Sequence, residues 1–114
     1  MNLSIENHQH AAVVAVTGDI THAVSGEFQA TLLSALKGTG ALVVDCTGVN
    51  MMTSAGLRAL LLLHREASAS GKLLVLACVP PGVRDVMEVT GFWDQFLALA
   101  TVADALAATS PSAP

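Results

Sequence analysis

Ala41-Leu42-Val43-Val44-Asp45-Cys46-Thr47-Gly48-Val49-Asn50-Met51-Met52-Thr53-Ser54-Ala55-Gly56-Leu57-Arg58 is the stretch on which the fold turns. Ala41 to Cys46 is an apolar run with one carboxylate inside it. It is too short for a helix and rich in valine, which reads as a strand buried on both faces. Thr47 to Thr53 reads as a loop. Ser54 then offers an N-cap, and Leu57, Leu60, Leu61 and His64 follow at i, i+3, i+4 and i+7, one face of a helix closing near Ser70-Gly71.

The same alternation extends in both directions. Upstream, residues 3–7 form a short strand with Leu3 and Ile5 alternating, and His8-Gln9-His10 turns the chain into a Val-rich strand from Ala11 to Thr17, ended by Gly18-Asp19. Ser25 is the expected cap of the next helix, which Lys37-Gly38 stops. Downstream, Leu73 to Val79 is a second buried strand. Pro80-Pro81-Gly82 breaks it, and Pro81 starts a helix through about Val89. Gly91 to Phe96 is an aromatic loop, Leu97 to Ala100 a short last strand, and Thr101 or Asp104 opens a final Ala-rich helix. The order is ββαβαβα(β)α. It implies an α/β fold, a mixed sheet of four to five strands with a parallel core flanked by about four helices. One domain is expected over 1–109, with 110–114 a frayed tail.

Composition narrows the function. The chain has 114 residues, 53% hydrophobic and 12% charged, with a net charge of −4. Charged residues are about a quarter of an ordinary soluble domain, so apolar side chains are left over for a contact surface. Five Lys plus Arg give no basic stripe for phosphates, which argues against nucleic acid. No basic-then-apolar leader is visible near Met1. The apolar stretch Leu57–Leu63 is broken by Arg58 and falls far short of the roughly 20 residues of a membrane span. A cytoplasmic location without membrane insertion is expected. Cys46 and Cys78 sit in apolar runs and read as reduced core thiols.

Catalytic and metal patterns are weak. No G-x-G-x-x-G or G-x-x-x-x-G-K-[ST] follows the strand at Ala41. A nucleophilic serine needs a base and an orienting carboxylate, and nothing in the spacing ties His22 or His64 to Ser54. His8 and His10 share one side of a strand but lack a nearby third ligand. Asp45 lies where a receiver domain carries its phosphoacceptor, yet the acidic pair and the late lysine of that family are missing, which leaves a loop-anchoring carboxylate. Phe92, Trp93 and Phe96 read as core packing under the last helix, with a contact patch as the alternative. No catalytic residue, metal or cofactor is expected.

Ser54 has two compatible readings. Its hydroxyl caps the helix by accepting a first-turn N–H, worth about 1 kcal/mol. A phosphate there is favoured by the same helix end, while a partner docked over it is repelled.

The stretch Leu42 to Val49, together with Met52-Thr53-Ser54-Ala55-Gly56-Leu57-Arg58, resembles the signature of the STAS domain family, the anti-sigma factor antagonists. Gly18-Asp19-Ile20-Thr21, Gly71-Lys72-Leu73 and Val83 to Phe92 support it in the same order. The resemblance implies a partner-switching protein with no catalysis of its own. Unphosphorylated, such a protein binds an anti-sigma factor that is also a serine kinase with a histidine-kinase-like ATPase fold. Phosphorylation of the serine matching Ser54 switches it off, and a serine phosphatase resets it. The implied contact surface is Asp19, Thr21, His22, Thr53, Ser54, Ala55, Gly56 and Arg58. Thr53 stands where many members have Asp, Ala55 where others have Ser or Thr, and Thr21 where an acidic residue is common. The alternative is a constitutive adaptor subunit of a transporter or lipid-trafficking complex, with no phosphorylation.

Overall fold

A computed structural model describes residues 1–110; of the expected tail at 110–114, residues 111–114 lie outside the described residues. The elements are β1 (Asn2–Asn7), β2 (Ala12–Ile20), α1 (His22–Lys37), β3 (Ala41–Met52), α2 (Ser54–Ala69), β4 (Leu73–Ala77), α3 (Pro81–Val89), a 3₁₀ turn (Trp93–Gln95), β5 (Leu97–Leu99) and α4 (Val102–Thr109). They build one five-stranded sheet in the order β1-β2-β3-β4-β5. The β1–β2 pair is antiparallel and the rest are parallel. The mixed sheet, parallel core and four helices are as the sequence implies.

The strand order never reverses, and this dictates the layers. Right-handed crossovers that always step the same way place every connecting helix on the same face. Phe28, Leu32 and Leu36 of α1, Leu57, Leu60 and Leu63 of α2, and Val83 and Met87 of α3 all pack with Val14, Leu42, Val44 and Leu76. α4 follows the last strand and covers the other face, where Ala105 meets Val13, Val43, Val75 and Ala77. The alternation Leu42/Val44 against Val43 along β3 is the pleat seen from its two sides. Phe92, Trp93 and Phe96 do pack against the core, but on the α1–α3 face, which corrects the expectation that they lie under α4. Lys72 finishes α1 from a distance: its ammonium donates to the Leu36 and Lys37 carbonyls at 2.8 and 3.3 Å, using helix-end acceptors that have no intrahelical donor.

Two strands run further than their apolar stretches. β2 continues through Gly18 to Ile20, and β3 continues through the expected loop to Met52. The extensions pair with each other, Thr17 with Gly48 through Ile20 with Met52, after a register shift between Ala15 and Thr17. Asp45 sits at that shift. Its carboxylate accepts from the Thr47 N–H at 3.1 Å and from the Thr47 hydroxyl at 2.6 Å, so it anchors a bulge inside a strand. Gly48 is required beside it, because a Cβ there stands 2.5 Å from Thr17 Cγ2. β4 stops at Ala77, short of the expected Val79, and Cys78 takes φ 57°. Both cysteines are free thiols, Cys46 buried and Cys78 half-buried.

Candidate functional site

The extended ends of β2 and β3 bring two helix starts together. Thr21 is the N-cap of α1 and Thr53 the N-cap of α2. The second helix begins one residue earlier than Ser54 as a cap allows: Ser54 is its first helical residue. Ser25, expected to cap α1, lies inside its first turn and donates its hydroxyl to the His22 carbonyl at 2.9 Å. Thr53 is tied across the junction. Its N–H donates to the Ile20 carbonyl at 2.9 Å and its hydroxyl to the same oxygen at 3.3 Å.

That tie changes the role of Ser54. No side chain caps α2, and neither α1 nor α2 has an acidic residue in its first turn. The Thr53 hydroxyl, turned toward Ile20, accepts no first-turn N–H. The start of α2 therefore presents unpartnered N–H groups and the positive end of the helix dipole to solvent. Ser54 itself is exposed. Its hydroxyl makes no hydrogen bond among the described residues, so the expected capping energy is absent.

His22, Ser25, Gln29, Ser54, Ala55 and Arg58 line an open cleft of about 320 Å³ between α1 and α2. A second cleft of about 340 Å³ runs down the other side of α2, lined by Ser54, Leu57, Arg58, Leu61, Leu62, Arg65, Thr90 and Phe92. Ser54 and Arg58 border both. Of the residues expected to contact a partner, His22, Ser54, Ala55 and Arg58 thus converge. Asp19 is exposed at the end of β2 beside Met51, and Thr21 and Thr53 are half-buried at the caps. Gly56 does not reach the surface. It is buried, and a Cβ on it stands 2.7 Å from Met52 Cγ and 2.8 Å from Ile20 Cγ2. Its contribution is to let α2 sit against the strand ends and hold Ser54 where it is. The sequence reading missed Ser25 and Gln29. Their spacing from His22, i+3 and i+7, becomes visible only once α1 starts at His22 and not at Ser25. It also missed the second cleft, whose far wall, Phe92, is remote in sequence.

Among the described residues no hydrogen bond joins Ser54 to His22, which lines the same cleft, or to another base. Among the described residues no three His, Cys, Asp or Glu side chains group as metal ligands, and no helix is long and apolar enough to cross a membrane. What the junction offers is an exposed hydroxyl at an anion-tolerant helix start, flanked by two clefts that share an arginine.

Comparison with known proteins bears on the family and the fold. The family model described as "Mlab, STAS domain" matches residues 3–107. BtrV of Bordetella bronchiseptica, named as a candidate anti-sigma factor antagonist, is 29% identical over 97 residues, covering 84% of each chain. The human Sulfate anion transporter 1 is 38% identical over 64 residues, 56% of this chain but only 9% of the transporter. Among solved structures, the anti-sigma factor antagonist SpoIIAA in its unphosphorylated form superposes with a TM-score of 0.81 at 19% identity, over 99% of this chain and 100% of that one. The phosphorylated form of the Bacillus protein superposes with a TM-score of 0.72 at 20% identity, over 94% and 98%.

Proposed function

The chain belongs to the STAS domain family, and from that premise we propose that it is a cytoplasmic anti-sigma factor antagonist without catalytic activity, switched by phosphorylation of Ser54. Unphosphorylated, it binds an anti-sigma factor that is also a serine kinase of the histidine-kinase-like ATPase fold. Phosphorylated, it lets go, and a serine phosphatase restores it. The observation that carries the proposal is the position of Ser54: exposed and, among the described residues, free of any hydrogen bond that a phosphate has to break and set on a helix start with no capping side chain.

The physical chemistry of the switch follows from that position. A phosphoserine carries roughly −1.5 to −2 charges near pH 7, which the uncapped N–H groups and the helix dipole tolerate. The fold is therefore expected to survive modification. A partner that covers both clefts has to bury the same charge, and each 1.4 kcal/mol of penalty is about tenfold in affinity. Asp19, Thr21, His22, Thr53, Ala55 and Arg58 surround the site and supply the contact surface in this proposal.

A second reading keeps the domain and drops the phosphate: a constitutive adaptor in a transporter or lipid-trafficking complex. The likeness to a segment of the human Sulfate anion transporter 1 favours it. One experiment separates the two. The protein is incubated with ATP and an anti-sigma kinase from the same genome, and phosphate is mapped by mass spectrometry. Phosphate on Ser54 is expected; none with any such kinase favours the adaptor, and phosphate on Asp45 or a histidine defeats the switch at Ser54.

A further inference from the structure

The second cleft differs in charge from the chain as a whole. The protein carries −4 net charge, yet among the described residues no carboxylate lines this groove, and two arginines do, Arg58 and Arg65. The other cations are mostly committed. Arg84 pairs with Glu88 at 2.6 Å and lies 4.5 Å from the Trp93 ring centre, and Lys72 is held by α1 carbonyls. Among the described residues neither Arg58 nor Arg65 has a carboxylate within ion-pair distance. Between them the groove is apolar. Leu61 and Leu62 lie on α2, Leu62 is 41% exposed, and Phe92 closes the far wall.

We infer that this groove seats an acidic amphipathic helix of a partner protein, with leucine-like side chains over Leu61, Leu62 and Phe92 and carboxylates on Arg58 and Arg65. The spacing fits a helix laid along α2. Arg58 and Arg65 are seven residues apart, two turns or about 10 Å, so carboxylates at a similar seven-residue spacing meet both, and aliphatic residues one turn apart fill the space between. Guanidinium groups beside an apolar floor suit this occupant: the fork pairs with a carboxylate while the floor takes the buried area.

The inference deepens the proposed switch by naming the chemistry of what docks. Arg58 lies four residues after Ser54 on the same helix, the spacing at which side chains meet. A phosphate on Ser54 therefore takes Arg58 as its counter-ion and removes one of the two cations that hold the partner. Release then comes from cation capture as well as from repulsion.

The test uses the full chain and a synthetic probe, so it does not depend on the identity of the kinase. The probe is a fluorescein-labelled amphipathic peptide of leucine, alanine and glutamate of about 20 residues, above the length at which isolated helices are marginal. Its glutamates are seven residues apart beside the leucine face, and its twin carries lysines in their place. Anisotropy titration is expected to show the glutamate peptide binding at least about tenfold tighter than the twin, with affinity falling as salt rises. Amide shifts are expected at Leu61, Leu62, Arg65 and Phe92. R65E, at an exposed position that leaves the fold intact by circular dichroism, loses about tenfold and reverses the preference between the twins; L62Q weakens both. S54E weakens the glutamate peptide more than S54Q does. No binding, equal binding of the twins, or an unchanged R65E affinity overturns the inference. So does a dimer of the chain that R65E dissolves, or binding of phosphatidylglycerol vesicles in place of the peptide. A kinase that leaves Ser54 unmodified defeats the proposed function and leaves the peptide result standing.

Discussion

Gly56→Ala tests whether the fold sets Ser54 by steric contact. Gly56 is the third residue of α2, and α2 rests on the ends of β2 and β3 through it. A methyl group added there stands 2.7 Å from Met52 Cγ and 2.8 Å from Ile20 Cγ2, with the Ile20 carbonyl oxygen at 3.4 Å. Both side chains are core residues, Ile20 fully buried and Met52 7% exposed. Ile20 is β-branched and stiff at χ1, so Met52 has to give, or the first turn of α2 has to lift. Overpacking of this kind costs about 1–3 kcal/mol. Replacing glycine by alanine in a helix returns up to about 1 kcal/mol, less so close to the N-terminus. The net expectation is a loss of about 1–2 kcal/mol, or about 4–8 °C in Tm for a domain this size. Urea and thermal unfolding measure it. Met52→Ala provides the control: it removes the nearer clash, so the second substitution costs less on that background, with a coupling of at least about 0.5 kcal/mol. A Gly56→Ala protein as stable as the parent, or more so, refutes the steric account of this glycine.

Three further outcomes follow from the same contacts. Ser54→Ala is expected to change stability by less than about 0.5 kcal/mol, since the hydroxyl makes no hydrogen bond in the fold; a loss near 1 kcal/mol in urea unfolding shows that it caps α2 after all. Lys72→Met is expected to lose about 1 kcal/mol, because the α1 carbonyls at Leu36 and Lys37 lose a charged donor; equal unfolding midpoints contradict that. Burial, then the charge of Asp45 and the neighbouring Cys78, push the Cys46 thiol up to about 12 from 9.0. Above pH 9 the unfolded chain releases this proton while the folded chain keeps it. Stability is therefore complete below pH 9 and falls between 9 and 12, by at most about 1.4 kcal/mol per pH unit. Cys46→Ala flattens that alkaline limb; an identical slope in both proteins rules the thiol out as its source.

The strand–helix alternation was legible because β3 and β4 are written as compact valine- and leucine-rich runs, and α3 as a proline start with an apolar face. The ends of β2 and β3 were not. Thr17 to Ile20 and Gly48 to Met52 hold strand geometry by pairing with each other, a partnership between segments some 30 residues apart that no local pattern announces. Thr47 and Asn50, polar and exposed, look like loop residues from the sequence alone. The one-residue error at Ser54 has the same origin. Thr53 turns its hydroxyl to the Ile20 carbonyl, and a cap assignment made from residue type cannot see a competing acceptor on another strand. The misplaced aromatic cluster reflects strand order. Once β1 to β5 run without reversal, the segment after α3 stays on the α1–α3 face, and only α4 is left for the other. Around the site, His22, Ser54, Ala55 and Arg58 were legible through family likeness. The buried setting of Gly56 and the groove reaching to Arg65 and Phe92 needed the packing of α2.

The most direct test of the proposed switch is calorimetric titration of an anti-sigma kinase from the same genome with two forms of this chain, unmodified and phosphorylated on Ser54, at one salt concentration. Circular dichroism and unfolding confirm that both are folded. The expected result is binding of the unmodified form and a loss of at least about tenfold, or about 1.4 kcal/mol, on phosphorylation. Equal affinity of the two folded forms contradicts the switch at Ser54.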